Sequence, residues 1–213
     1  MLLKKWVKSF MTVFWLFLFG SLFGYVFEGM LELVKHGTWV SRQGLLYGPL
    51  SQVYGIGCVM ISIILCKFQK PIHIFLIGML TGGMIEYIMS LMQEYIFGTI
   101  SWDYSNCFCN FNGRTSLFHA LMWGGIALLF MQFIYPIIIH MCDKLQNHFG
   151  YLITFILFIL LGIDIFLSVV ASIRQDERKH HIPPMNGFER FIDQHYPDEK
   201  MDSIYQNKMY RYE

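Results

Sequence analysis

Apolar residues run along this chain in five long blocks, not in the short alternating or one-faced patterns of soluble elements. The blocks are Phe10 to Val34, Gly44 to Cys66, Pro71 to Met92, Leu117 to Ile139 and Tyr151 to Ile173. Each reaches the roughly 20 residues that a helix needs to cross the hydrocarbon core of a bilayer. The pattern therefore predicts an all-α polytopic transmembrane bundle of about five spans. The first block follows Lys4, Lys5 and Lys8, is too long for a signal-peptide core and has no small-residue cleavage site, so it reads as a retained signal-anchor helix. The second block is the weakest span. Gly44, Gly48, Pro49, Gly55 and Gly57 interrupt its first half, and such backbone enters a membrane only where protein buries it.

Three of the four connections are short, and the remaining one, Gln93 to Ser116, is rich in Trp, Asp, Tyr, Asn and Gly. After Ile173 the composition turns polar, which divides the chain into a transmembrane domain, 1–173, and a tail, 174–213. Two short amphipathic helices are expected in the tail. One carries Phe188, Phe191, Ile192 and His195 on one face, and the other Met201, Ile204, Tyr205 and Met209, with Pro197 between them and Asp198 as N-cap. Such helices pack on the loops, lie on the membrane surface or dock a partner.

Composition sharpens the class. Of 213 residues, 55% are hydrophobic and only 15% charged, against about 25% charged in soluble domains, and the mean hydropathy is +0.44. The formal net charge of +1 offers no basic surface for nucleic acid. The five cysteines are scattered apart from Cys107 and Cys109, so neither a disulfide framework nor a zinc site is predicted. The tryptophans at Trp6, Trp15, Trp39, Trp102 and Trp123 suit interfacial belts. No GxxxxGK[ST], GxSxG or HExxH motif is present. No catalytic residue, metal or cofactor is assigned, and the chain is not itself a P-loop ATPase.

Charge placement gives a divided signal on orientation. Lys4, Lys5, Lys8, Lys67, Lys70 and Lys144 fall on one side, which favours a cytoplasmic N-terminus. An odd number of spans then puts the tail outside, yet the tail opens with Arg174, Arg178 and Lys179. The Gly44 to Cys66 block is where the count is most open. Gly20 with Gly24, and Gly78 with Gly82, form GxxxG pairs that allow close helix packing.

The polar side chains within and beside the spans share one end of the bundle. Spans one, three and five run the same way, so Glu28, Glu32, Arg42, Glu86, Ser90, Glu94, Asp103, Arg114 and Asp164 all fall toward the same membrane face. Six acids face two arginines there, and buried carboxylates need a partner, a hydrogen bond or a proton. Three readings stand: a structural ion-pair network, a solute or ion path, and catalytic carboxylates. The path candidates are Glu28, Glu86, Ser90, Glu94, Asp103 and Asp164. Arg42 and Arg114 are expected to pair with carboxylates, foremost Glu28, Glu86, Glu94 and Asp103. Trp102, Tyr104, Asn112 and Gly113 are expected to anchor the long loop on the bundle. His119 is read as a capping or packing residue.

Four blocks carry a family resemblance: Gly24-Tyr25 with Glu28; Arg42-x-Gly44-Leu45-x-x-Gly48-Pro49, continuing to Tyr54-Gly55-x-Gly57; Glu86-Tyr87-x-x-Ser90 with Glu94, then Phe97-Gly98; and Trp102-Asp103-Tyr104-Ser105, then Asn110 and Asn112-Gly113-Arg114. In this order they resemble the bacterial membrane family labelled "putative ABC-transporter type IV", over roughly Gly20 to Ile173. The resemblance departs at Ser51-Gln52, at Cys107 and Cys109, and in the tail. It implies a multi-pass protein of the bacterial cell membrane. The reading taken is a permease-like component moving a small solute or ion, which needs either a separate ATPase or ion coupling, with an ATPase or another membrane protein as the expected partner. A membrane scaffold or sensor that binds another protein, and an intramembrane lipid-processing enzyme, are the alternatives.

Overall fold

The computed structural model describes residues 2–210, and for 2–8 the backbone course alone. Lys4, Trp6 and the other side chains of that stretch, on which part of the orientation signal rests, lie outside the described residues. The chain is built from helices: α1 (Leu2–His36), α2 (Gln52–Leu65), α3 (Pro71–Phe97), α4 (Leu117–Leu129), α5 (Tyr135–Lys144), α6 (His148–Lys179), α7 (Gly187–His195) and α8 (Asp198–Ile204). A π-helical stretch, Phe130–Ile134, joins α4 to α5, so that Leu117–Lys144 forms one long apolar rod. Pro136 lies in the first turn of α5. Its missing N–H and its ring account for the widened turn just before it.

Four helices are long and apolar enough to cross a membrane: Ser9–His36, Pro71–Phe97, Leu117–Lys144 and His148–Lys179. This corrects the expected five. The Gly44 to Cys66 block yields a helix of only 14 residues, about 21 Å long, preceded by irregular backbone. Its course is nevertheless defined. The Ser51 amide donates to the Ser21 carbonyl at 3.0 Å, so α2 begins near the middle of α1. Gly24 faces the Tyr54 ring and Gly20 faces Cys58, which makes α2 antiparallel to α1. Residues 37–51 thus fold back to mid-depth, and α2 completes the return.

The remaining packing follows from small residues and aromatics. Gly82 faces the Trp123 ring and Gly78 faces Ala127, so α3 and α4 are antiparallel and in close contact. A side chain at Gly24 or Gly82 would occupy the space of the ring opposite it. Both GxxxG pairs therefore serve packing within this bundle. Trp15 is buried and donates to Thr154 at 3.1 Å, and Trp123 is buried in the same core. Neither belongs to an interfacial belt. Trp15 with Thr154 ties α1 to α6 at one end, while at the other end Gly98, just past α3, lies against Asp176 of α6. Helices α1, α3 and α6 therefore run the same way.

The tail folds onto the end where α6 finishes. Ile192 and Met201 are fully buried against Leu46 and Ala171, while Phe188 and Phe191 remain exposed. Pro197, not Asp198, occupies the N-cap of α8. Arg174, 2% exposed, holds both oxygens of Asp193 at 3.1 and 2.7 Å. Arg178 pairs with Asp193 and Asp198 at 2.5 Å. The two arginines that conflicted with the orientation signal are thus engaged by acids of the tail. Burial works against the Asp193 charge, but the two guanidiniums hold its carboxyl below the usual range. The last described residues of the tail form a strand, β4 (Met209–Tyr210), antiparallel to β1 (Thr99–Ile100) just beyond α3.

Two tests follow. Topology reporters at Gln69 and Gln146 should report one side and a reporter at Pro184 the other, because 37–65 makes a full return despite its short helix. A Pro184 reporter on the side of Gln69 would overturn this course. The second test uses Lys208, whose ammonium hydrogen-bonds Gln175 at 2.7 Å. Burial lowers it from 10.5 to about 8, against the opposing pull of Asp202. An undocked tail keeps this proton up to pH 10.5, whereas the docked tail sheds it near pH 8. The undocked state thus binds more protons in that window, and docking strengthens as pH rises through it. The melting temperature of the native chain should gain on that of Lys208→Met between these pH values, and a constant difference would refute the linkage.

Candidate functional site

The polar end of the bundle encloses a cavity of about 650 Å³, within the range of small-molecule sites. It lies between α1, the 37–51 segment, α3, the long loop, α4 and α6. Residues 205–208 of the tail contribute Tyr205, Asn207 and Lys208 to its wall. Of the six path candidates, Glu28 and Glu86 line it. The aromatic side chains Tyr54, Trp102, Tyr104 and Trp123 line it with them, and Phe17, Ile56 and Ile126 form an apolar lower part.

Glu86 is buried in α3. Its Oε1 accepts from the Tyr104 hydroxyl at 3.2 Å and its Oε2 from the Thr115 hydroxyl at 2.8 Å. Glu28 is half-buried, is hydrogen-bonded by Tyr54 and lies within electrostatic reach of Arg42. Glu28 and Glu86 also feel one another's charge. Neither forms a salt bridge among the described residues. Burial, with Glu86 and Glu28 facing it, pushes the Tyr104 phenol far above its ordinary value, so it remains a hydrogen-bond donor.

The other candidates hold the walls. Arg114, 7% exposed, pairs with Glu94, donates to the Ser90 hydroxyl at 3.2 Å and lies over the Tyr87 ring. Arg42 pairs at 2.8 Å with Glu32, not with any of the four acids put foremost. Asp103 lies on the exposed side of the loop, where Oδ1 accepts from the Ser105 amide and hydroxyl at 2.9 and 2.5 Å. It closes a turn and does not face the cavity. Asp164 is buried in α6. It accepts the Tyr47 and Gly48 amides at 3.2 and 3.0 Å and the Ser168 hydroxyl at 3.2 Å. Its carboxylate satisfies the backbone of the folded-back segment.

The long loop lies on the bundle. Its strands β2 (Asn110–Phe111) and β3 (Thr115–Ser116) pair antiparallel. Between them, Asn112 and Gly113 have φ of +51° and +68°, a left-handed turn for which glycine is suited. A Cβ at Gly113 would also sit 2.5 Å from Asp103 and Ser105. The Trp102 indole donates to the Arg114 carbonyl at 2.8 Å, and the Asn112 amide donates to the Tyr87 hydroxyl at 3.2 Å. Tyr104 stacks on His119 with ring centroids 3.6 Å apart, while the Ser116 hydroxyl lies 2.7 Å from His119 Nδ1.

The sequence reading missed Gln52, whose side chain donates to the Gly44 carbonyl at 2.7 Å, and the tail's share of the wall. A lone glutamine opening an apolar run was the available signal for the first. Nothing in the spacing announced the second.

A family model described as "Putative ABC-transporter type IV" matches residues 15–169. The chain belongs to this family. The type IV match runs from Trp15 within α1 through most of α6 and includes Glu28, Glu86, Arg42, Arg114 and Asp164, while the tail lies beyond it. Neither a curated protein nor a solved structure matches the chain. The protein is thus an ABC-transporter-related, multi-pass membrane protein by family and by its four span-length helices.

Arg114 offers the clearest test of the wall. Removing one partner of a buried pair costs about 3–5 kcal/mol. Arg114→Ala should therefore lower the yield and melting temperature of folded protein, while Lys200→Ala on the exposed tail surface should not. Equal stability of the two variants would show that the pair does not hold the loop.

Proposed function

We propose that this protein is a permease-like component of the bacterial cell membrane that moves a small solute or ion, energised by a separate ATPase. The observation that carries the reading is the cavity itself. It opens the polar half of an apolar bundle past the start of α2 onto an apolar floor, and above that floor it places two carboxylates without salt bridges among the described residues. Intramembrane ionisable groups that face a cavity mark solute paths more often than packing. In this reading residues 1–173 form the membrane body and 174–213 a polar tail that roofs it. Glu28 and Glu86 belong to the path, while Ser90, Glu94, Asp103 and Asp164 shape its walls.

The test has three arms. In a background with the native cysteines replaced, single cysteines at Ser51 and Met89 should react with a membrane-impermeant maleimide added from the tail side only. Affinity purification from native membranes should bring an ATPase along. Glu86→Gln should leave the protein folded while abolishing ATPase-dependent uptake into proteoliposomes. Unreactive cysteines at both positions, or full uptake by well-folded Glu86→Gln, would overturn the permease reading.

A further inference from the structure

We infer that the cavity takes a small organic cation, an ammonium carried on an apolar or aromatic body. The inference rests on the permease reading of the cavity and adds the chemical class of its solute.

The charges along the wall are sorted by depth. Arg42 is committed to Glu32 at 2.8 Å. Lys35 is exposed, seven residues and so about 10 Å along α1 from Glu28 toward the bundle's end. Lys208 is committed to Gln175 at 2.7 Å. The bases therefore stand at the rim or are held by other partners, while Glu28 and Glu86 remain inside without a salt bridge. In its ionised form, a carboxylate at this depth is stabilised by a positive charge brought beside it.

The walls select the kind of cation. Around the carboxylates stand the rings of Tyr54 and Trp123, with centroids 5.1 Å apart, and those of Trp102 and Tyr104. Aromatic faces attract ammonium groups once water is excluded. A hard metal ion would want six or more oxygen ligands. Here the Glu86 oxygens already accept from Tyr104 and Thr115. Among the described residues no group of three or more His, Cys, Asp or Glu side chains is arranged to hold a metal. Below the carboxylates Phe17, Ile56 and Ile126 offer an apolar well, which suits a hydrocarbon body attached to the charge. An anion would meet the two carboxylates, while Arg42, the described base within electrostatic reach of Glu28, is already paired with Glu32.

The test compares three fragments of similar bulk and different charge on the purified full-length protein: benzyltrimethylammonium, benzyl alcohol and benzoate. Binding is followed by tryptophan fluorescence, since Trp102 and Trp123 line the cavity. The cation should give saturable quenching, with the neutral fragment at least about tenfold weaker and benzoate without effect. Glu28→Gln and Glu86→Gln should each weaken cation binding about tenfold or more, while Glu199→Gln on the exposed face of α8 leaves it unchanged. Benzoate or benzyl alcohol binding as tightly as the cation would overturn the inference without recourse to any variant. So would the same saturable change produced by magnesium chloride alone. The two readings separate cleanly. Cation binding without passage into proteoliposomes would overturn the permease reading and leave the site. Protein-dependent passage of benzoate, with no cation binding, would overturn the cation class and leave the permease.

Discussion

Every backbone amide and carbonyl at membrane depth must be satisfied by protein, since lipid offers no partner. The folded-back segment between α1 and α2 is where this constraint bears hardest. Asp164 accepts two of its amides, Ser168 accepts the Leu46 amide, and Gln52 reaches back to the Gly44 carbonyl. An acid deep in an apolar helix is costly, and here the cost is offset by hydrogen bonds from otherwise orphaned amides. With the segment fixed, α2 can begin at mid-depth, and the volume that a full-length second helix would have filled becomes the cavity.

The polar groups of this end fall into separate tasks that composition alone blends together. One set ties elements to one another: Arg114 with Glu94 and Ser90, Arg42 with Glu32, and Arg174 and Arg178 with the tail acids. Another shapes backbone, as Asp103 and Asp164 do. Glu28 and Glu86 belong to neither set: their hydrogen bonds come from Tyr54, and from Tyr104, Thr115 and the Trp123 indole, respectively. The surplus of acids over arginines thus resolves into two carboxylates that no described base bridges, Glu28 having Arg42 within electrostatic reach and Glu86 having polar neighbours.

Much of this was legible in the chain. The four span-length helices follow from apolar length alone, and the family from the order of four short blocks. The shared polar end followed from chain direction, because charges late in odd-numbered spans meet at one face. The second block misled because irregular and helical backbone can have the same hydropathy. Its glycines and Pro49 marked the trouble without giving its geometry. Arg42's partner could not be chosen from spacing, since Glu28 and Glu32 are one turn apart on the same face of α1. Asp164 gave no sign that its partners would be main-chain amides from more than a hundred residues away. Asp103 did carry a sign, since an aspartate two residues before Ser105 favours a turn. The clasp of Arg174 by Asp193 joins elements whose association depends on buried Ile192 and Met201, and no local pattern reports it.

The half-length α2 also has an electrical consequence. Once filled with water from the polar end, the cavity would carry the potential of that compartment inward to the level of Glu28. A membrane voltage would then be dropped across the closed part of the protein below Phe17 and Ile56, not across the full ~30 Å of hydrocarbon. Moving one charge through the whole voltage involves about 2.3 kcal/mol per 100 mV. Nearly all of that work would be done in the closed part, where the local field is correspondingly steeper, and almost none between the rim and the carboxylates.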